Sequence, residues 1–167
     1  HEFHIQDLRY PCHNLFENTS QVYHLAADMG GIGYIETHKA DIVFNNTLIN
    51  MLTLKACHEQ GVKKFLFSSS ACVYPKYMQE TKLVVRLKED NVYPADAEDG
   101  YGWEKLMMER MCRHAREDWG MKTYIARFHN IYGPLGTYQG GKEKSPAALC
   151  RKIAMAKQED EIEIWGD

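Results

Sequence analysis

KKFLFSS, residues 63–69, is a short apolar run between polar ends, and its reading decides the fold. A run of this length and composition predicts a buried strand. Working upstream, residues 38–60 carry apolar positions at helical spacing (Ile42, Leu48, Ile49, Leu52, Ala56), and Gly61 stands where a C-cap belongs. Before that helix, QVYHLAA (21–27) is a second apolar run ending in small residues, again a strand. Downstream, residues 73–99 show no clean period and contain Pro75 and Pro94, which predicts a long excursion of the kind that is usually functional. A second helix is expected over 101–118, closed by Gly120, followed by a strand at 122–128 (KTYIARF). A Gly-rich loop at 133–144, a helix at 146–157 and a final strand at 161–165 complete the reading. Apolar strands alternating with helices predict an α/β fold whose parallel sheet is covered on both faces.

Composition bounds what such a fold does. The chain has 167 residues, 44% hydrophobic and 26% charged, as in ordinary soluble domains. A net charge of -3 and a pI near 6.3 argue against a nucleic-acid partner. No apolar run reaches membrane-spanning length, and the polar start HEFHIQDLRY has no signal-peptide pattern. The five cysteines (Cys12, Cys57, Cys72, Cys112, Cys150) are odd in number and scattered, which fits a reducing cytoplasm better than a disulfide framework. The eight histidines show no zinc-like spacing with a third ligand, so no metal is expected.

In open parallel sheets, ligands sit at the carboxyl ends of the strands. Three such ends can be read here: Ala26-Ala27-Asp28-Met29-Gly30-Gly31, Ser68-Ser69-Ser70-Ala71-Cys72-Val73-Tyr74-Pro75, and His129-Asn130-Ile131-Tyr132-Gly133-Pro134. All are rich in small, polar or nucleophilic residues. Taken singly each would pass for a turn, but together they predict a convergent site.

Tyr101-x-x-x-Lys105 carries the chemistry. Positions i and i+4 share a helix face, so the ammonium can lie beside the phenol and lower a pKa that starts near 10. The product is a general base able to take a hydroxyl proton as hydride leaves. Tyr138-x-x-x-Lys142 repeats the motif, but in a Gly-rich loop where the facing is not assured. The plainer reading of Tyr101 is an interface tyrosine with a solvated lysine. Ser70, a hydroxyl at the end of the preceding strand, favours the catalytic one.

HLAA (24–27), Asn46-Thr47 as a helix start, FSSSACVYP (67–75), Tyr101-Gly-x-x-Lys105 and RFHNIYGP (127–134) together resemble the extended short-chain dehydrogenases/reductases that act on nucleotide sugars. The resemblance covers the whole chain. Within that group, AADMGGIGYI, SSACVYP, RFHNIYGPLGTYQGGKEKSPAA and IWGD are most similar to the GDP-mannose 3,5-epimerases, GGKEKSPAA being the most specific segment.

The resemblance implies a Rossmann-like, doubly wound parallel sheet, present in part. Residues 1–167 would form the central and C-terminal part of an NAD-binding domain, with a sugar-nucleotide-binding region starting near 130–167. It implies Ser70, Tyr101 and Lys105 as the redox set, and Cys72 and Lys144 as the acid/base pair. Asp7, Ala26, Ala27 and Asn46, with Tyr101 and Lys105, would hold NAD. Gly30, Ala71, Asn130, Glu143, Ser145 and Lys152, with Ser70, Cys72 and Lys144, would hold the GDP-sugar. Ser145 stands where the family usually has alanine. The implied reaction is epimerisation of GDP-D-mannose at C3 and C5 through transient oxidation at C4. By residue type and position alone, the better reading of Cys72 is a small buried hydrophobe and that of Lys144 a solvated loop lysine; the resemblance reverses both.

No Gly-rich phosphate-binding turn precedes Asp7, and Gly30-Gly31-x-Gly33 lacks the full spacing. We therefore expect an interior piece of a longer protein, inactive in isolation. Two alternatives stay open: a GDP-fucose synthase-like keto-sugar epimerase/reductase, and a non-catalytic binding module. A 4,6-dehydratase would need acidic residues where Ala71 and Cys72 stand. Ile49, Met51, Leu52, Leu54, Met107, Met108 and Met111 give the two long helices more apolar residues than one sheet face requires, which predicts a homodimer through a four-helix interface.

Overall fold

The computed structural model describes residues 2–79 and 86–164. The chain runs β1 (Gln21–His24), α1 (Ile32–Thr37), α2 (Lys39–Glu59), β2 (Lys64–Ser70), α3 (Lys76–Gln79), α4 (Asp99–Trp119), β3 (Lys122–Phe128) and α5 (Ser145–Met155). Single 3-10 turns occupy His13–Phe16, Ala71–Val73 and Glu89–Val92. Two compact units result: His1–Asp28 with Lys39–His129, and Met29–His38 with Asn130–Asp167.

The first unit is built on a parallel sheet in the order β1-β2-β3. Both crossovers step the same way, so right-handed connections place α2 and α4 on one face. Register puts Val22, Phe65 and Thr123 in one row and Tyr23, Leu66 and Tyr124 in the next, which faces the other way. On the helix side Phe65 and Phe67 are fully buried against Leu54 and Cys57 of α2 and Met108, Cys112 and Ala115 of α4. Each large apolar side chain there contributes about 1.5–3 kcal/mol. On the opposite side Tyr23 and Tyr124 are 68% and 50% exposed, so within this unit the described helices cover one face. The buried stripe of α4 follows the helical repeat through Tyr101, Lys105, Met108, Cys112 and Ala115. Gly120 ends that helix in the left-handed conformation, φ 64°, its N–H bonded to Ala115 O, as a glycine C-cap does.

Helices and strands fall within a few residues of their expected bounds, with four differences. β1 stops at His24 rather than residue 27, and Leu25 is 62% exposed: the chain leaves the ladder before the apolar run ends. Asn46 and Thr47 lie two turns inside α2, not at a helix start. The excursion at 73–99 contains α3, and an isolated bridge between Pro75 and Ala97 closes its two ends; residues 80–85 lie outside the described residues. Residues 161–164 form no strand, because they pair with no other strand among the described residues, and Trp165 lies outside these. The second unit comprises α1, α5 and the bends of 130–144.

Candidate functional site

Ser70 ends β2 in extended conformation, and its hydroxyl accepts the Cys72 N–H at 3.3 Å, so the chain folds at once into the turn Ala71–Val73. The start of α4 is pressed against that turn. Glu98 N–H donates to Cys72 O at 2.9 Å, and a Cβ added at Gly102 would stand 2.2 Å from the same oxygen. Only glycine allows this approach, and the approach sets Tyr101 against Ser70. We expect Gly102→Ala to cost about 3 kcal/mol, since backbone must move on both sides, and to lower activity more than stability alone explains. Denaturant midpoints and turnover of the soluble variant measure both.

Tyr101 is 5% exposed, and the Ser70 hydroxyl is placed to donate to its phenol oxygen. Burial pushes its phenol up to about 12; the Ser70 bond opposes this, while Cys72 and Glu104 add to it. The sequence led us to expect the reverse, a phenol lowered by Lys105. The difference has a geometric cause. Lys105 Nζ lies over the ring of Tyr101, 5.6 Å from its centroid, and 4.9 Å from that of Phe67. Its ion partner is Glu104, at 3.8 Å. Burial dominates Lys105 as well, pulling the ammonium down while Glu104 holds it up.

Asn46 links this pair to the segment that follows β1. Its side-chain oxygen accepts Asp28 N–H at 2.6 Å, and its amide donates to Asp28 O at 3.0 Å and to Glu104 Oε1 at 2.9 Å. Ala26 and Ala27, half-buried, immediately precede Asp28. Asp7 is exposed and held by Arg9 through side-chain bonds of 3.0, 3.1 and 2.6 Å, with a further bond from its backbone N–H. These bonds hold the Asp7 carboxyl down at about 2, so it is ionised throughout the physiological range.

In the second unit, Lys144 stands at the N-cap position of α5 and its Nζ donates to Gly30 O at 3.3 Å. A Cβ at Gly31 would lie 2.7 Å from Glu143 O, and Glu143 pairs with Arg151 at 3.3 Å. Lys152 Nζ donates to Glu163 O at 2.6 Å, and Ser145 and Asn130 are exposed. Ser70, Ala71, Cys72, Tyr101 and Lys105 thus come together in the first unit, and Gly30, Glu143 and Lys144 in the second.

Sequence reasoning missed Glu104, Asn50 and His24. Glu104 accepts from Asn50 as well as Asn46, and Asn50 meets His24 at 2.8 Å, all of them buried. Their signal was present: each shares the helical or strand face of its apolar neighbours.

The family model described as NAD dependent epimerase/dehydratase matches residues 2–167. A GDP-mannose 3,5-epimerase of Arabidopsis thaliana is 46% identical over 99% of this chain and 44% of its own length. A GDP-L-fucose synthase of Escherichia coli is 28% identical over 92% of this chain and 49% of its own length. The chain therefore spans less than half the length of these relatives. In fold it resembles a UDP-glucose 4-epimerase of Thermotoga maritima solved with UDP-glucose, TM-score 0.75 at 24% identity, covering 93% of this chain and 48% of that one. The chain belongs to the NAD dependent epimerase/dehydratase family.

Proposed function

We propose that the protein containing this chain epimerises GDP-D-mannose at C3 and C5, giving GDP-L-galactose, with GDP-L-gulose as the C5-only product. The observation that carries this reading is the gathering of Ser70, Cys72, Tyr101 and Lys105 where β2 and α4 meet. Its support over a fucose synthase-like reductase is the 46% identity to a GDP-mannose 3,5-epimerase against 28% to a GDP-L-fucose synthase.

The donor set suits an NAD. Asp7 offers an exposed, ionised carboxylate that can accept from the paired hydroxyls of an adenosine ribose and would repel a 2′-phosphate. Ala26 and Ala27 leave backbone room at the end of β1, with Asn46 fixed behind them. NAD, bound there, would supply the hydride acceptor and donor for C4 of the sugar. Tyr101 must ionise against the burial that raises its phenol; as phenolate it accepts the C4 hydroxyl proton in the first half and returns it in the second, with Ser70 holding the oxygen. The C4 ketone acidifies the protons on C3 and C5. Cys72 as thiolate removes one of these, and Lys144 as ammonium delivers one to the opposite face. Hydride and proton are both restored, so no net oxidation results. Gly30, Ala71, Asn130, Glu143, Ser145 and Lys152 are proposed as contacts to the GDP-sugar.

The test is proton exchange in heavy water. Cys72→Ala and Lys144→Ala are each expected to lower C3 or C5 exchange about 10²–10⁴-fold while C4 oxidation, read as reduced-nicotinamide absorbance, persists. Exchange of both protons at the normal rate in Cys72→Ala would make the thiol a packing residue.

We also propose a cytoplasmic homodimer. No helix among the described residues is long and apolar enough to cross a membrane. Leu54 and Met108, counted in the sequence toward an interface, are core residues at 0% and 1% exposure. The support comes instead from Phe44, Trp103 and Met107, which are 65%, 48% and 61% exposed on α2 and α4. Phe44→Glu with Met107→Lys is expected to halve the sedimenting mass of the full-length protein at micromolar concentration. A wild-type monomer refutes the dimer, as does an unchanged mass in the variant.

A further inference from the structure

Glu104 is a carboxylate that the proposed chemistry leaves without a task. It is 6% exposed, one residue before Lys105, at the interior end of a polar chain that crosses the unit. Both of its oxygens are acceptors. Asn46 Nδ2 donates to Oε1 at 2.9 Å and Asn50 Nδ2 to Oε2 at 3.0 Å. The orientation of Asn46 is not free, because its oxygen already receives a backbone N–H from Asp28. Asn50 is fixed in the same way: its oxygen faces His24 Nε2 at 2.8 Å, which places the histidine proton on Nε2. Two amides with their NH2 groups turned inward need a partner that only accepts, and an ionised carboxylate is that partner. The Lys105 ammonium lies 3.8 Å away and is itself 1% exposed.

We propose that Glu104 is a positioning residue, the counter-ion that keeps Lys105 charged beneath Tyr101 and ties that charge through Asn46 to Asp28 in the segment after β1. The proposal rests on the reading of Tyr101 and Lys105 as the redox pair. A buried ammonium without a nearby anion gives up its proton, and the aromatic faces of Tyr101 and Phe67 are a weaker substitute. The other titratable groups facing the pair are His24 from β1, Cys72 from the turn after β2 and Tyr101 itself. Burial lowers His24 to about 4, so it stays neutral and supplies no competing charge. Burial raises Glu104 to about 7 against the pull of Lys105 and the two amides, so above neutrality it is ionised.

The test is the pH profile of C4 oxidation in the full-length protein, followed in a single turnover. Lys105 must stay protonated, so activity falls on the alkaline side as that proton is lost. Glu104→Gln removes the anion and is expected to move the alkaline limb down by at least about one pH unit. A second variant, Glu104→Gln with Asn50→Asp, returns a carboxylate to the same cluster, with the new glutamine amide as its donor, and is expected to move the limb back. A limb that stays in place in Glu104→Gln, whatever the rate, overturns the proposal, since a merely structural glutamate would change rate or stability alone. Should Glu104→Gln not fold, carboxyl NMR titration of Glu104 in the unaltered protein decides: ionised at the pH of maximal turnover supports the proposal, neutral overturns it. Tyr101→Phe in the same assay separates the two levels. If that variant still oxidises C4, the redox reading fails; if it does not and the limb is unmoved in Glu104→Gln, only the role of Glu104 fails.

Discussion

Tyr101→Phe in the full-length protein is expected to lower turnover about 10³-fold while nucleotide-sugar affinity stays within about threefold of the original. The substitution deletes one oxygen. The ring keeps its place at the start of α4, over which Lys105 lies at 5.6 Å, and it keeps its burial at 5% exposure. What disappears is the hydrogen bond to Ser70 and the site to which the sugar hydroxyl loses its proton. A neutral buried hydrogen bond contributes about 1 kcal/mol to stability, too little to unfold the unit, so a folded and inactive protein is the expected result. Isothermal titration with GDP-mannose and steady-state turnover give the two numbers. Turnover within tenfold of the original would remove Tyr101 from the mechanism and shift attention to Ser70 and Cys72.

The sheet was legible because its strands announce themselves twice, by apolar runs and by the turns that end the preceding helices. Phe65 and Phe67 alternate with less buried neighbours in β2, and Gly61 and Gly120 adopt the positive φ that closes α2 and α4. The Ser70–Tyr101–Lys105 grouping followed from strand-end and helix-face logic, and the structure brings the three together. What did not follow was the electrostatics. Sequence spacing places a lysine on the same face as a phenol, but it does not say whether the ammonium reaches the hydroxyl or lies across the ring. It also gives no account of burial, which here dominates both groups. Sequence reasoning did not single out Glu104 and Glu109. Their positions could have been caught: both are buried on α4 beside Lys105 and Met108, where a solvated glutamate would be out of place. The end of β1 was overread because apolar character persists through Leu25-Ala26-Ala27 after pairing with β2 has ended at His24.

Glu109→Ala is expected to lose about 3–5 kcal/mol of folding stability, the cost of leaving one member of a buried ion pair alone. Arg127 of β3 grips Glu109 of α4 with two parallel bonds, Nε to Oε1 at 2.9 Å and Nη2 to Oε2 at 2.7 Å. Ser69 Oγ donates to the same Oε1 at 2.6 Å, while Arg127 Nη1 donates to Glu89 O at 2.8 Å and to the Tyr74 hydroxyl at 3.3 Å. The side chains are 7% and 17% exposed, so solvent screens the pair far less than it would a surface bridge. One carboxylate thus joins the ends of two strands to the helix that carries Tyr101, and it does so one residue before Ser70. Removing it strands a guanidinium whose pKa this pairing raises still further. The double variant Glu109→Leu with Arg127→Met should recover most of the loss, because two apolar side chains leave no buried charge unpaired. Denaturant unfolding of the single and double variants measures the coupling. A loss below about 1 kcal/mol in Glu109→Ala would place the pair with exposed salt bridges and leave the alignment of Ser70 with Tyr101 to the Gly102 contact alone.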